Sequence, residues 1–166
     1  MVSFSPVSWH VLYLHPRCEK KVAEYCRVNK LDYYLPLRRQ TRIYQRRRVT
    51  FEKPVFPGYL FASFDSDGRL AVLKSNNVVR ILEPLNEDRL LFELEQIKKA
   101  LMVDPTLIPC ESLKTGKRVR ILSGPFMGIE GVVQDIKGTA KVRLNVEMIG
   151  QAVSVEVEKD FLELVE

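Results

Sequence analysis

The side chains that could do covalent chemistry are few, and their spacing assembles no catalytic site. The chain has two histidines, His10 and His15, and neither has an obvious serine or cysteine partner. Cys18, Cys26 and Cys110 are an odd number with no C-x-x-C spacing. That pattern fits reduced thiols in a cytoplasmic protein, and the spacings are wrong for zinc. Cys18 and Cys26 lie on one expected helix and read as packing residues. Carboxylates are scattered, and no glycine-rich phosphate loop is present. The expectation is a binding protein, not an enzyme, with no cofactor and no metal.

Binding chemistry is better represented. Residues 1–103 hold 18 basic against 11 acidic side chains, whereas residues 104–166 hold 8 against 10. A basic half joined to a mildly acidic half suggests two modules with different partners, the first a candidate for polyanion contact. The excess gathers between Arg17 and Lys53. The candidate contact set is His15, Arg17, Lys20 and Lys21, then Arg38, Arg39, Arg42, Arg46, Arg47 and Arg48. Six arginines between 38 and 48 with no acid among them cannot pair internally. They face either solvent, as a hairpin that only aids solubility, or a polyanion. Arginine's fork suits phosphates and base edges, and Tyr44 among them could stack on an unpaired base.

A second set is aromatic: Tyr13, Phe56, Tyr59 and Phe61. Such rings either fill a sheet core or form an apolar patch with large contact area at low rotamer cost. A third lies in Arg118–Val133, reading RVRILSGPFMGIEGVV. Its glycines suit tight turns or close backbone approach, and Phe126 falls at the loop tip. That phenylalanine either meets a partner or folds back onto its own module.

The elements that must position these residues follow from periodicity. Ser8–Leu14 alternates as a strand, with Trp9, Val11 and Tyr13 on one face. Arg17–Asn29 has helical spacing, with Val22, Ala23 and Cys26 inward. Tyr33–Leu37 reads as a strand, Pro57-Gly58 as a turn, Tyr59–Phe64 and Val78–Leu82 as strands, and Gly68–Ser75 as a short helix. Asp88–Leu101 places Leu91, Leu94, Ile97, Lys98 and Leu101 at amphipathic spacing. This predicts an α+β sandwich over 1–103, with helices on a mainly antiparallel sheet. Residues 104–114 carry Pro105 and Pro109 and no period, as a linker would. From Thr115 the segments 117–122, 129–136, 140–147, 151–157 and 161–164 predict a five-stranded β-barrel over 115–166. No apolar run approaches the ~18 residues of a membrane helix, and no secretory leader is expected.

Both halves together resemble the NusG family of transcription elongation factors, including its specialised RfaH-like members. The landmarks are Trp9-His10-Val11-Leu12-Tyr13, the element Phe56-Pro57-Gly58-Tyr59-Leu60-Phe61, then Val119–Gly131, the pattern of a KOW motif, and Val142–Val157. The resemblance implies an N-terminal NGN domain followed by a KOW barrel. It implies that Tyr13, Tyr59 and Phe61, with Phe56 beside them, receive the clamp helices of the RNA polymerase largest subunit. It places His15, Arg17 and Lys20, with Asn76 and Asn77 near the same surface, against upstream or non-template DNA. On the barrel it implies that Phe126, with Met127, Ile129, Met148 and Ile149, binds Rho or a small-subunit ribosomal protein.

His15-Pro16-Arg17 and Tyr34-Leu35-Pro36-Leu37 look like the specialised, operon-specific antiterminators. Asp65–Leu73 lacks the His-Thr-Thr element with which RfaH touches the polymerase gate loop. RfaH also hides its second domain as a helical hairpin. Residues 117–157 are rich in Val, Ile and Gly, so a barrel, tethered but undocked, is expected here. The competing class is a ribosomal or RNA-binding KOW protein, which also pairs a basic surface with such a barrel.

Overall fold

The computed structural model describes residues 6–134 and 138–165. Along the chain run β1 (Ser8–Leu14), α1 (Glu19–Val28), β2 (Asp32–Tyr34), β3 (Leu37–Tyr44), β4 (Arg47–Pro54), β5 (Tyr59–Phe64) and α2 (Ser66–Lys74). There follow β6 (Val78–Leu82), α3 (Glu87–Val103), β7 (Pro109–Glu111), β8 (Lys117–Ile121), β9 (Glu130–Val133), β10 (Thr139–Val146), β11 (Gln151–Glu158) and β12 (Leu162–Leu164). The fold is α+β, three helices with mainly antiparallel sheets.

The chain divides into two compact units: Met1–Leu35 with Phe56–Glu87, and Pro36–Val55 with Asp88–Glu166. In the first, four antiparallel strands stand in the order β2-β5-β1-β6. Strand alternation sends Leu12, Leu14, Leu60, Ala62 and Phe64 to one face. There they meet Val22, Ala23 and Cys26 of α1 and Val72 of α2 in one buried cluster. The Asp65 side chain starts α2 by accepting the Gly68 N–H at 2.9 Å, the usual service of an N-cap.

In the second unit β3 and β4 form a hairpin, and β12-β8-β9-β10-β11-β7 form an antiparallel sheet. Val119, Ile121, Ile129, Val142, Leu144, Val146, Val153 and Val155 are its buried core. Gly131 is required there. A Cβ on it would lie 2.6 Å from Val142 Cγ1 and 2.7 Å from the Arg143 carbonyl oxygen.

Two expectations change. The sheet has six strands, because Pro109–Glu111, read as linker, pairs with β11. A proline is tolerated as first residue of an edge strand, where its missing N–H breaks no ladder. The buried side of α3 also turns away from the expected stripe. Leu90, Glu93, Leu94, Gln96, Ile97 and Ala100 are buried, whereas Leu91 and Leu101 are half-buried. Of the expected strand 129–136, residues 135 and 136 lie outside the described residues.

Candidate functional site

The ring pair is built by the register of β1 on β5. Tyr13 stands directly opposite Tyr59, so both rings leave the same face of the sheet, away from α1 and α2. Their centroids are 5.4 Å apart, tilted by 48°. Tyr13 is 41% exposed and Tyr59 half-buried. On the other side of Tyr13, β6 places exposed Arg80 opposite it. The face thus presents Tyr59, Tyr13 and Arg80 in one row across three strands. Arg80 was not singled out in the sequence; only the pairing of β6 with β1 brings it there.

The Pro57-Gly58 turn holds this row. Gly58 has φ +88°, and a Cβ on it would touch the Tyr13 ring at 3.5 Å. Its carbonyl accepts the Leu14 N–H at 2.8 Å, and its own N–H donates to the buried Glu19 carboxylate at 3.3 Å. The same turn corrects part of the expected set. Phe56 is 1% and Phe61 0% exposed. Phe61 opposes Val11 on the Tyr13 face, yet its ring is sealed. Both phenylalanines support the fold and offer no surface, because a large ring stabilises most when wholly removed from water.

A polar rim lies beside the start of α1. The His15 N–H donates to the Asn77 carbonyl at 2.9 Å, and the Cys18 thiol lies 3.6 Å from Asn77 Oδ1. Arg17 and Asn76 both have φ +62°, in the left-handed region that non-glycine residues rarely hold. His15, Arg17, Asn76 and Asn77 are therefore brought together from two loops. Lys20 is exposed in the first turn of α1.

The arginines of 38–48 lie on the β3–β4 hairpin. Arg39, Arg42, Arg46, Arg47 and Arg48 are exposed and Arg38 half-buried. Gln45 and Arg46 make the two-residue turn with φ +45° and +65°. Hairpin turns of that kind favour Asn-Gly, since both residues need positive φ. The base is closed by Val55 N–H on the Pro36 carbonyl at 2.8 Å, and the Arg39 N–H donates to the Pro105 carbonyl at 2.6 Å.

On the barrel, Phe126 is half-buried and Met127 is 67% exposed at the loop between β8 and β9. Met148 and Ile149 are half-buried in the short 3-10 turn Glu147–Ile149. Ile129 is 2% exposed and belongs to the core, which corrects its expected place on the surface.

Within the second unit, α3 grips the barrel. Gln96 Oε1 accepts the Glu130 N–H at 2.9 Å, and the Glu93 carboxylate accepts the Glu147 N–H at 3.2 Å. Arg89 bonds Glu147 at 3.2 Å, and the Arg118 guanidinium lies 5.9 Å from the Phe92 ring centre. Burial pushes the Glu93 carboxyl up to about 7. These contacts were not foreseen, because the expected stripe of α3 named no polar residue but Lys98. Burial also pushes the Cys26 thiol up to about 11, so it stays protonated and a poor nucleophile at neutral pH.

Comparison with known proteins gives the family and the fold. Residues 7–102, from β1 into α3, match the family model NusG, "Transcription termination factor nusG". A "Transcription termination/antitermination protein NusG" of Borreliella burgdorferi is 24% identical, over 94% of this chain and 97% of its own. The protein of the same description from Staphylococcus aureus strain Mu50 is 27% identical, over 93% and 94%. The solved structure "Domain interaction in Thermotoga maritima NusG" matches with a TM-score of 0.51 at 20% identity, covering 97% of this chain and 98% of that one. At that identity the last likeness speaks for the fold.

Proposed function

This chain belongs to the NusG family, and we propose that it is a cytoplasmic, non-enzymatic transcription elongation and antitermination factor that binds the clamp helices of RNA polymerase. The observation that carries the reading is the accessible row Tyr59–Tyr13–Arg80 on the first sheet. Two tilted rings present apolar area, and the adjacent guanidinium suits a carboxylate or carbonyl at the tip of a helical hairpin. The relatives' descriptions as termination/antitermination proteins support the role.

In this reading the first module spans 1–103, where the family match ends at 102, and the barrel follows, with Pro109–Glu111, inside the expected linker 104–114, as its sixth strand. The rim of His15, Arg17, Lys20, Asn76 and Asn77 meets upstream or non-template DNA. Arg38, Arg39, Arg42, Arg46, Arg47 and Arg48 are a second nucleic-acid contact. Phe126, Met127, Met148 and Ile149 take a ribosomal small-subunit protein or Rho. The arginine-dense hairpin favours the specialised, operon-specific antiterminator over the housekeeping factor.

The test is co-elution with core polymerase and, separately, with ribosomes. The wild type is expected to run with polymerase and Tyr13→Ala/Tyr59→Ala to lose it while remaining folded. Co-elution with ribosomes alone would move the chain to the ribosomal KOW proteins.

A further inference from the structure

The register of the β3–β4 hairpin sorts its side chains into two unlike faces. Residues directly opposite in an antiparallel pair share a face, and alternate residues along a strand share it too. The pairs Tyr44↔Arg47, Arg42↔Val49, Gln40↔Phe51 and Arg38↔Lys53 therefore stand on one side. The pairs Ile43↔Arg48, Thr41↔Thr50 and Arg39↔Glu52 stand on the other. The first face collects four cations, both rings of the hairpin and no acid. The second holds two cations, the hairpin's one acid and no ring. On the first face Tyr44 and Phe51 meet edge to face, with centroids 6.3 Å apart at 89°. They remain 48% and 37% exposed, flanked by exposed Arg42 and Arg47.

We propose that this face, Arg42, Tyr44, Arg47 and Phe51, is a platform for a single-stranded nucleic acid. The proposal rests on the reading that the hairpin meets nucleic acid, and it names the class. A duplex hides its base faces in the stack and offers phosphates and groove edges, on which a ring cannot stack. An unpaired strand offers base faces as well, and rings among cations fit both components at once. The edge-to-face contact braces each ring and leaves aromatic surface open to a base. Arg42 and Arg47 supply forks for the phosphates, and Arg38 and Lys53 continue the cationic line toward the base of the hairpin.

The test is fluorescence anisotropy of the full chain with labelled single-stranded DNA and single-stranded RNA of about a dozen nucleotides, and with duplex DNA of the same sequence, across a salt series. Single strands are expected to bind about tenfold tighter than the duplex. Tyr44→Ala/Phe51→Ala should lose about tenfold or more for single strands with its salt slope kept, since the phosphate contacts remain. Arg42→Ala/Arg47→Ala should instead flatten that slope by about 1.4, from two lost phosphate contacts on a single strand. Ile43→Ala, exposed on the opposite face, should change nothing. The DNA and RNA arms tell which strand is preferred. Equal affinity for single strand and duplex, or indifference to loss of the rings, overturns the proposal. Binding to none of the probes sinks the nucleic-acid reading of the hairpin as a whole. Neither result touches the polymerase reading, because no polymerase is present.

Discussion

The Glu93 carboxylate accepts the backbone N–H of Glu147 at 3.2 Å, with its side chain only 6% exposed. A helix side chain thus holds the turn that carries Met148 and Ile149. Burial is the main cause that raises this carboxyl to about 7 from an ordinary 4.5; the Glu147 carboxylate raises it further, while the Glu147 N–H, Arg89 and Arg118 act the other way. The folded state keeps a proton that the unfolded chain releases at lower pH. The stability so contributed is complete below about pH 4.5 and is lost as pH rises through 7, about 3 kcal/mol across the window. Glu93→Gln keeps an acceptor and removes the charge. Urea denaturation at pH 5 and pH 8 should show a smaller difference for the variant than for the wild type, and the variant should be the more stable at pH 8.

Gln96 tests the same grip without a charge. Gln96→Ala leaves the Glu130 N–H without its acceptor at the start of β9. An unmet buried donor costs about 1–3 kcal/mol. Hydrogen exchange should therefore quicken at Glu130 more than at Val142 in the barrel core.

Gly131 separates close approach from turn geometry. Gly131→Ala drives a methyl against the Arg143 carbonyl oxygen, which as backbone cannot swing away. The expected loss is about 1–3 kcal/mol, as for other overpacked cores. A barrel that melts unchanged would show that β9 and β10 can part at no cost.

Much of this arrangement was legible from alternation alone. Val78–Leu82 is a strand at the expected bounds, and Tyr13 falls on the expected face of β1. The barrel segments emerged from short β-rich runs divided by glycine. What stayed hidden has physical reasons. Residues 38–48 carry no apolar alternation, so their charge was legible and the bounds of their strands were not; register, not composition, reveals their two faces. Pro109–Glu111 is too short and too proline-marked to show a period. Phe61 and Tyr59 share one face and one motif, yet one is sealed and the other open. Glu93 and Gln96 are polar residues whose burial exists only because barrel backbone donors meet them.

That difference between neighbouring rings makes a paired experiment. Tyr59→Ala should leave the denaturation midpoint nearly unchanged and weaken capture by core polymerase; Arg80→Glu should weaken it as well. Phe61→Ala, two residues along the same strand, should cost about 3–5 kcal/mol of stability, because it empties a buried ring site. Equal loss of stability in the two ring variants would mean that Tyr59 is core, and the proposed docking row would fail.

The turn at the hairpin tip sets stability against binding. Gln45 and Arg46 both hold positive φ without being glycine or asparagine. Such a conformation costs about 1–2 kcal/mol per residue relative to glycine. Gln45→Asn with Arg46→Gly should relieve that strain, and amides of β3 and β4 should exchange more slowly. The same change removes one cation from the tip, so the salt dependence of single-strand binding should flatten by about 0.7 if Arg46 touches a phosphate. The relaxed turn lacks the charge that Arg46 carries at the tip, so stability and nucleic-acid contact are set against each other. Slower exchange with undiminished salt dependence would assign the strain to no nucleic-acid contact and return Arg46 to the solvated surface.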